Sequence, residues 1–224
     1  MKNYLNKIKN KISKIFYKKI DSSAHFTGKK YIEIGKNTLI CQNTWLNVNK
    51  RSKEKHIIIG DYCFIGRNNF FTSGELINFD DFVITSVNCC FLGADHDIEN
   101  PNIPYYFAET RCDKTINVGF NVFIGANTTL IGNVSIGYGS VIGANTLITN
   151  NKFPPFSVII GNPGNIVKRY SFKNKCWKKI NDWTEDDEQS IIPINEYKEI
   201  IYQKNYESRL PYKALGKTNG NLYS

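Results

Sequence analysis

The sequence predicts an all-β solenoid: short strands wound on a six-residue repeat, with short helical extensions at both ends. Three observations carry that prediction. An aliphatic residue returns at every sixth position at Val118, Ile124, Leu130, Ile136, Ile142 and Ile148. Glycine follows four of them, at Gly119, Gly125, Gly137 and Gly143. The same register occurs earlier, first at Ile34, Ile40 and Leu46, then at Ile59, Ile65, Phe71, Ile77 and Val83, with Cys89 at the next inward position. A helix would bring apolar residues back at steps of three and four, and a lone strand at steps of two. A step of six with glycine behind the aliphatic belongs to stacked hexapeptide turns, where the large side chain points inward and a small residue takes the bend.

The elements follow in order. Residues 1–20 place Leu5, Ile8, Ile12, Ile15 and Phe16 at helical steps with lysines between them, which predicts an amphipathic basic helix. Such a helix either caps the first coil, covering unpaired strand edges, or lies on an anionic membrane surface. Residues 21–169 are assigned to the solenoid. Within it, Asn49 to His56 (NKRSKEKH) falls out of phase and reads as a charged excursion. Residues 91–117 (FLGADHDIENPNIPYYFAETRCDKTIN) break the repeat for longer and read as an extruded loop. Pro154 and Pro155 stop the repeat, and Gly161-Asn162-Pro163-Gly164 forms a tight turn. Residues 170–224 form a helical extension in which no site is predicted.

Composition narrows the class. The chain has 224 residues and a net charge of +9, which suits a polyanionic ligand, an anionic surface or nucleic acid. No interleaving of aromatic and basic residues supports base stacking, so nucleic acid is set aside. The six cysteines fit no metal knuckle, and no hydrophobic signal segment precedes them. Free thiols in a reducing cytosol are expected. No stretch reaches the roughly 20 apolar residues that a spanning helix needs.

The chemistry is expected in the extruded loop. It holds His96 between Asp95 and Asp97, and an imidazole beside carboxylates is a candidate general base. His25 and His56 are read as surface residues. Lys152, Lys168 and Arg169 gather positive charge where the repeat ends.

Residues 91–169 resemble the hexapeptide-repeat acyltransferases, in the branch of maltose and galactoside O-acetyltransferases and of capsule or lipopolysaccharide O-acetyltransferases. The resemblance rests on DHDIENP, on INVGFNVFIGANTTLIGNVSIGYGSVIGANTLIT, and on the double proline and asparagine-proline turn of KFPPFSVIIGNPGNIVKR. It implies a left-handed parallel β-helix and a homotrimer with active sites between subunits. The donor would be acetyl-coenzyme A and the acceptor a sugar hydroxyl, with no metal. His96 matches the family's catalytic histidine, and the backbone N–H of Ala126 matches its oxyanion donor. Glu109 lies near the position of a glutamate that orients the histidine, with Asp95 and Asp97 as the alternatives. Gly125, Gly143, Ala144 and Thr149 match the edge along which the pantetheine arm lies. Phe123 stands where the family often has tryptophan, and Lys152, Lys168 and Arg169 are the cations available to the nucleotide phosphates.

The implied activity is cytoplasmic acetylation of a surface polysaccharide or its precursor, with residues 1–20 as a peripheral contact with the inner face of the membrane. The rivals are N-acetylation of an amino sugar, O-acetylation of a xenobiotic, and a non-catalytic trimeric scaffold. A β-helix carbonic anhydrase would need three histidines on one zinc, and only His96 lies in the relevant half of the chain.

Overall fold

The structure, a computed structural model, describes residues 19–204. Most of the predicted N-terminal helix lies outside those residues. Its last two, Lys19–Ile20, pair as a strand with Leu39–Ile40 instead of continuing a helix.

Three parallel sheets make the body, and the chain visits them in a fixed cycle. The first face holds Lys19–Ile20, Leu39–Ile40, Phe64–Ile65, Ile84–Thr85, Phe123–Ile124, Val141–Ile142 and Ser157–Ile160. The second holds His25–Thr27, Trp45–Val48, Phe70–Ser73, Cys90–Leu92, Thr129–Ile131 and Leu147–Thr149. The third holds Ile32–Ile34, Ile57–Ile59, Leu76–Phe79, Thr115–Val118, Val134–Ile136 and Lys152–Phe153. Each strand pairs with its counterpart one coil away, so the inward side chains stack into ladders. Full burial of each such aliphatic is worth about 1.5–3 kcal/mol.

The strands are short because tight corners bound them. Between the first and second faces the corner residue is Asn43, Asn68, Asn88, Asn127 or Asn145, all with φ between 54° and 58°. Asparagine tolerates this left-handed conformation better than other side chains. Here it also bonds its neighbours: Asn68 Nδ2 donates to Asn88 Oδ1, and Asn88 Nδ2 to Asn127 Oδ1, each at 3.1 Å. Between the third and first faces, Tyr62 and Phe82 adopt the same conformation, and their rings stack at 4.9 Å.

The hexad positions Ile34 to Phe71 and Val118 to Ile148 are all buried as expected. In the third coil the predicted ladder is offset by two residues. The residues that align with Ile59, Ile65 and Phe71 are Phe79, Thr85 and Phe91, not Ile77, Val83 and Cys89. The link from Phe71 to Phe79 is two residues longer than a hexad, and a two-residue shift keeps side chains on the same side of a strand. Ile77, Val83 and Cys89 are therefore buried too. Val83 and Cys89 instead precede their strands, in register with Cys63 and Asn69 one coil earlier. The rings of Phe71, Phe79 and Phe91 fill this coil, with centroids 4.5–5.5 Å apart.

Two boundaries also move. Cys90–Leu92 still belongs to the second face and Thr115–Val118 to the third, so the extruded loop is 93–114. The repeat does not give way directly to helices after 169. Asn165–Ser171 and Cys176–Lys179 add two antiparallel strands to the first sheet. Helices Glu185–Gln189 and Ile194–Tyr202 follow. The second of these lies along the corner between the third and first faces, with Tyr197 and Tyr202 packed on Phe120 at 5.7 Å. Among the described residues no helix is long and apolar enough to cross a membrane.

Candidate active site

The extruded loop leaves the corner between the second and third faces through two glycines. A Cβ on Gly74 would lie 2.0 Å from the Gly93 carbonyl oxygen, so only glycine lets these backbones pass. The loop then folds into a ribbon in which Asp95–His96 pairs antiparallel with Thr110–Arg111. The Asp97 N–H donates to the Glu109 carbonyl at 2.8 Å. Arg111 holds the turn together, with Nη1 3.1 Å from Glu99 Oε1 and Nε 3.7 Å from Asp97 Oδ1. His96 is exposed, and its ring has no hydrogen-bond partner among the described residues. Asp95 binds the His96 backbone N–H at 2.8 Å rather than the imidazole. His96 faces Thr110 across the ribbon. Strand alternation therefore turns Asp95, Asp97 and Glu109 to the other side. None of the three expected carboxylates orients the ring in this arrangement.

Ala126 lies at a different corner, between the first and second faces. The Gly125 N–H donates to Ile142 and the Gly143 N–H to Ile159, both at 2.8 Å, while the Ala126 carbonyl accepts from Asn145. The Ala126 N–H has no partner among the described residues. A Cβ on Gly125 would sit 2.5 Å from the Ala144 nitrogen. Gly125, Ala126, Gly143 and Ala144 thus stack into a smooth edge, with Phe123 exposed beside it and Thr149 at the end of a second-face strand. The structure brings these candidates together, but on one chain it keeps them at a different corner from His96.

The three basic candidates separate. Lys152 lies on the third face and Lys168 on the antiparallel hairpin of the first, both exposed. Arg169 is 4% exposed: it pairs with Glu188, donates to the Pro155 carbonyl at 3.2 Å, and lies 4.6 Å over the Trp183 ring. It locks the hairpin to the helix after it and does not face solvent where a phosphate could reach it. His56 is likewise no surface residue. It is 1% exposed, with Nε2 2.8 Å from Ser52 Oγ and Nδ1 2.6 Å from the Glu75 carbonyl.

Residues 115–150 match the model of the bacterial transferase hexapeptide family (six repeats). That stretch of the chain carries the hexapeptide repeat of this family. Among solved structures it is similar to AntD, an N-acyltransferase from Bacillus cereus, in complex with dTDP and 3-hydroxybutyryl-CoA. That match has 22% identity and a TM-score of 0.55 over 74% of this chain and 90% of that one. A mutant of the same enzyme with dTDP-4-amino-4,6-dideoxyglucose and coenzyme A gives a TM-score of 0.57, again at 22% identity, over 74% and 91%. The hexapeptide-repeat acetyltransferase VCA0836 of Vibrio cholerae, in complex with acetyl-coenzyme A, is 27% identical over 65% of this chain and 64% of that one, with a TM-score of 0.44. No curated protein sequence matches the chain.

The hexapeptide-repeat chain also carries a feature where no site was predicted. A cavity of about 370 Å³ opens between the first face, the hairpin and the last helix, walled by Phe123, Phe156, Tyr170, Phe172, Trp177 and Tyr197. The alternation of Tyr170 with Phe172 and the facing Trp177 were the available signals, and both are ambiguous until the hairpin register is known. Among the described residues no group of three or more His, Cys, Asp and Glu is placed to hold a metal.

Proposed function

We propose that the chain is an acetyl-coenzyme A-dependent O-acetyltransferase acting on a sugar hydroxyl of a surface polysaccharide (capsule or lipopolysaccharide) or of its precursor. It would work in the cytoplasm as a homotrimer of left-handed β-helices. The observation that carries this reading is His96, presented unpartnered at the base of a ribbon that projects from a hexapeptide coil.

The chemistry follows from the groups available. His96 takes the proton of the acceptor hydroxyl as that oxygen attacks the thioester carbonyl carbon. The carbonyl oxygen becomes negative in the tetrahedral intermediate, where the unpartnered Ala126 N–H is the donor; loss of one such donor costs about 2.7–4 kcal/mol. The carbon–sulfur bond then breaks, and the imidazolium returns its proton to the departing thiolate. The pantetheine arm would lie along the Gly125–Ala126 and Gly143–Ala144 edge, with its phosphates toward Lys168 or Lys152.

One chain cannot unite His96 with Ala126, because they occupy different corners. A second copy supplying the missing corner resolves this. The outer row of the first face supports self-association, since Leu39, Phe64, Ile84, Phe123, Val141 and Val158 follow one another in register with no polar side chain. Rows of that kind mark interaction surfaces.

The test is calorimetric titration of acetyl-coenzyme A into wild type and His96→Ala, together with thiol release against a panel of sugars and amino sugars. Both proteins should bind the donor. Release by the variant should fall by roughly 10²–10⁴-fold. Absence of donor binding in both proteins would leave the scaffold as the better account, and release only with amino sugars would replace the hydroxyl acceptor with an amine.

A further inference from the structure

The corner between the second and third faces is elaborated unevenly along the solenoid. In successive coils it consists of residues 28–31, the charged excursion 49–56, residues 74–75, and the extruded loop 93–114 that carries His96. The first two of these project cations: Lys29, Lys30, Arg51, Lys53 and Lys55 are all exposed. Three of them gather at residues 30–31. Lys30 Nζ lies 4.7 Å and Arg51 Cζ 5.5 Å from the centroid of the Tyr31 ring, and Lys55 Nζ donates to the Lys30 carbonyl at 2.7 Å.

The excursion that brings these charges together is held in place. The buried His56 ring is fixed between Ser52 Oγ at 2.8 Å and the Glu75 carbonyl at 2.6 Å, and Arg51 donates to the Val48 carbonyl. Among the described residues none of the five cations has an ion-pair partner, and the neighbouring Glu33 and Glu54 pair with none of them. Like charges fixed this close repel one another. An anion laid across them relieves that repulsion and gains charge-assisted hydrogen bonds.

The way from these cations to His96 carries no uncompensated acid. Glu75, at the corner between them, is paired with Lys50. Neighbouring coils are about 4.8 Å apart, which sets the cations about 10–15 Å from the foot of the His96 ribbon. On the ribbon, strand alternation turns Asp95, Asp97 and Glu109 away from His96, and Asp113 pairs with Lys114. An anionic bilayer takes up apolar side chains beside its cations, and residues 28–31 and 49–56 expose none. Single-stranded nucleic acid stacks on exposed rings, and Tyr31 is buried.

We propose that this corner binds an anionic glycan, one that carries carboxylate or phosphate groups at intervals along its chain. Its charged units lie on Lys29, Lys30, Arg51, Lys53 and Lys55 while another unit reaches His96. The binding stands on the corner alone; that the bound glycan is acetylated rests on the acetyl-transfer reading.

Calorimetry on the full chain at about 0.15 M salt tests the binding without any need for turnover. The probes are an oligogalacturonate, a glycerol-phosphate teichoic acid, a neutral malto-oligosaccharide and phosphatidylglycerol vesicles. Wild type should bind at least one of the two anionic glycans more tightly than the neutral one, and preference between the two identifies the charged group. Lys29→Glu/Lys30→Glu/Lys53→Glu should weaken that binding about tenfold or more and flatten its salt dependence. Lys175→Glu/Lys179→Glu/Lys204→Glu makes an equal change in net charge at exposed positions near the other end. It should leave the affinity within about twofold, because the effect is local. Circular dichroism checks that both variants keep the fold. Absence of anionic glycan binding at millimolar concentration overturns the proposal. So does equal binding of the neutral oligosaccharide, equal weakening by both variants, or binding of vesicles without binding of glycans. If the glycan binds as expected and acetyl-coenzyme A does not, the corner stands and the acetyl-transfer reading falls. Acetyl transfer to neutral sugars without anionic glycan binding keeps that reading and overturns the corner.

Discussion

Lys198 of the last helix lies 3.0 Å from Asp80 Oδ2, joining the C-terminal extension to a corner 118 residues earlier in the chain. Nearby, the Tyr202 hydroxyl donates to Asp81 and Asn121 donates to the Tyr197 hydroxyl. The ion pair is about one-third exposed on each side, so its contribution should be small, about 0–1 kcal/mol. The apolar contact beneath it should dominate. Phe120 is fully buried against Tyr197, Tyr202 and Phe82. Phe120→Ala is expected to lose about 3–5 kcal/mol in urea unfolding, and Lys198→Ala no more than about 1. Equal losses would mean that charge, and not ring packing, holds the helix down.

How far the sequence carried the fold depends on the coil. From Val118 to Ile148 every link is six residues long, so periodicity alone places each ladder residue. From Phe71 to Phe79 the link is longer, and the ladder jumps to Phe79, Thr85 and Phe91. An apolar pattern does not reveal this, because residues two apart face the same way. Thr85 hides the jump further, being a polar residue in an inward row. Its Oγ1 is satisfied within the wall, accepting the Gly66 N–H at 3.0 Å.

The exit of the extruded loop gives a second prediction. Gly74 passes the Gly93 carbonyl where an added Cβ would lie 2.0 Å from that oxygen, and the obstructing atom is backbone. Gly74→Ala should therefore force the two chain segments apart and cost about 1–3 kcal/mol. Limited proteolysis should show faster cleavage within residues 93–114 than in wild type. An unchanged cleavage rate and melting temperature would mean that the corner yields without strain.

The thiols offer a third. Burial pushes Cys63 up to about 12 and Cys89 up to about 11, while Cys176 is exposed. Iodoacetamide at pH 8 should label Cys176 in the folded protein and leave Cys63 and Cys89 unmodified until denaturant is added, as read by peptide mass spectrometry. The folded values lie above the unfolded thiol value of about 8.5. Their contribution to stability is therefore complete below that pH and declines as pH rises from there toward 11 and 12. Labelling of Cys63 without denaturant would show that its coil opens readily.

The candidate site was legible in part. His96 could be singled out because an imidazole between two carboxylates in an extruded loop is rare in this chain, which has only three histidines. What orients it was not legible, since that depends on which side of a two-stranded ribbon each carboxylate takes. Arg169 shows the same limit. Lys168 and Arg169 are equivalent as neighbouring cations in the sequence, but strand alternation exposes one and buries the other against Glu188.

Asp187 provides the last prediction. Its carboxylate is fully buried and accepts hydrogen bonds from Lys178 at 2.5 Å, Ser171 at 2.6 Å, Asn174 at 2.9 Å and Thr184 at 2.7 Å. The bond from Lys178, then that from Ser171, hold this carboxyl well below the usual carboxylate range. The folded value thus lies below the unfolded value of about 3.9. The ionised group contributes its full stability above about pH 4 and loses it as pH falls from there toward the depressed folded value. The urea midpoint of wild type should drop between about pH 4.5 and 2.5, a range chosen around that reference value (~3.9). Asp187→Asn should start lower at pH 7, since a neutral amide answers Lys178 poorly, and should show a shallower drop over the same range. Parallel curves for the two proteins would place the acid sensitivity elsewhere and leave Asp187 as a packing residue that joins the hairpin to helix Glu185–Gln189.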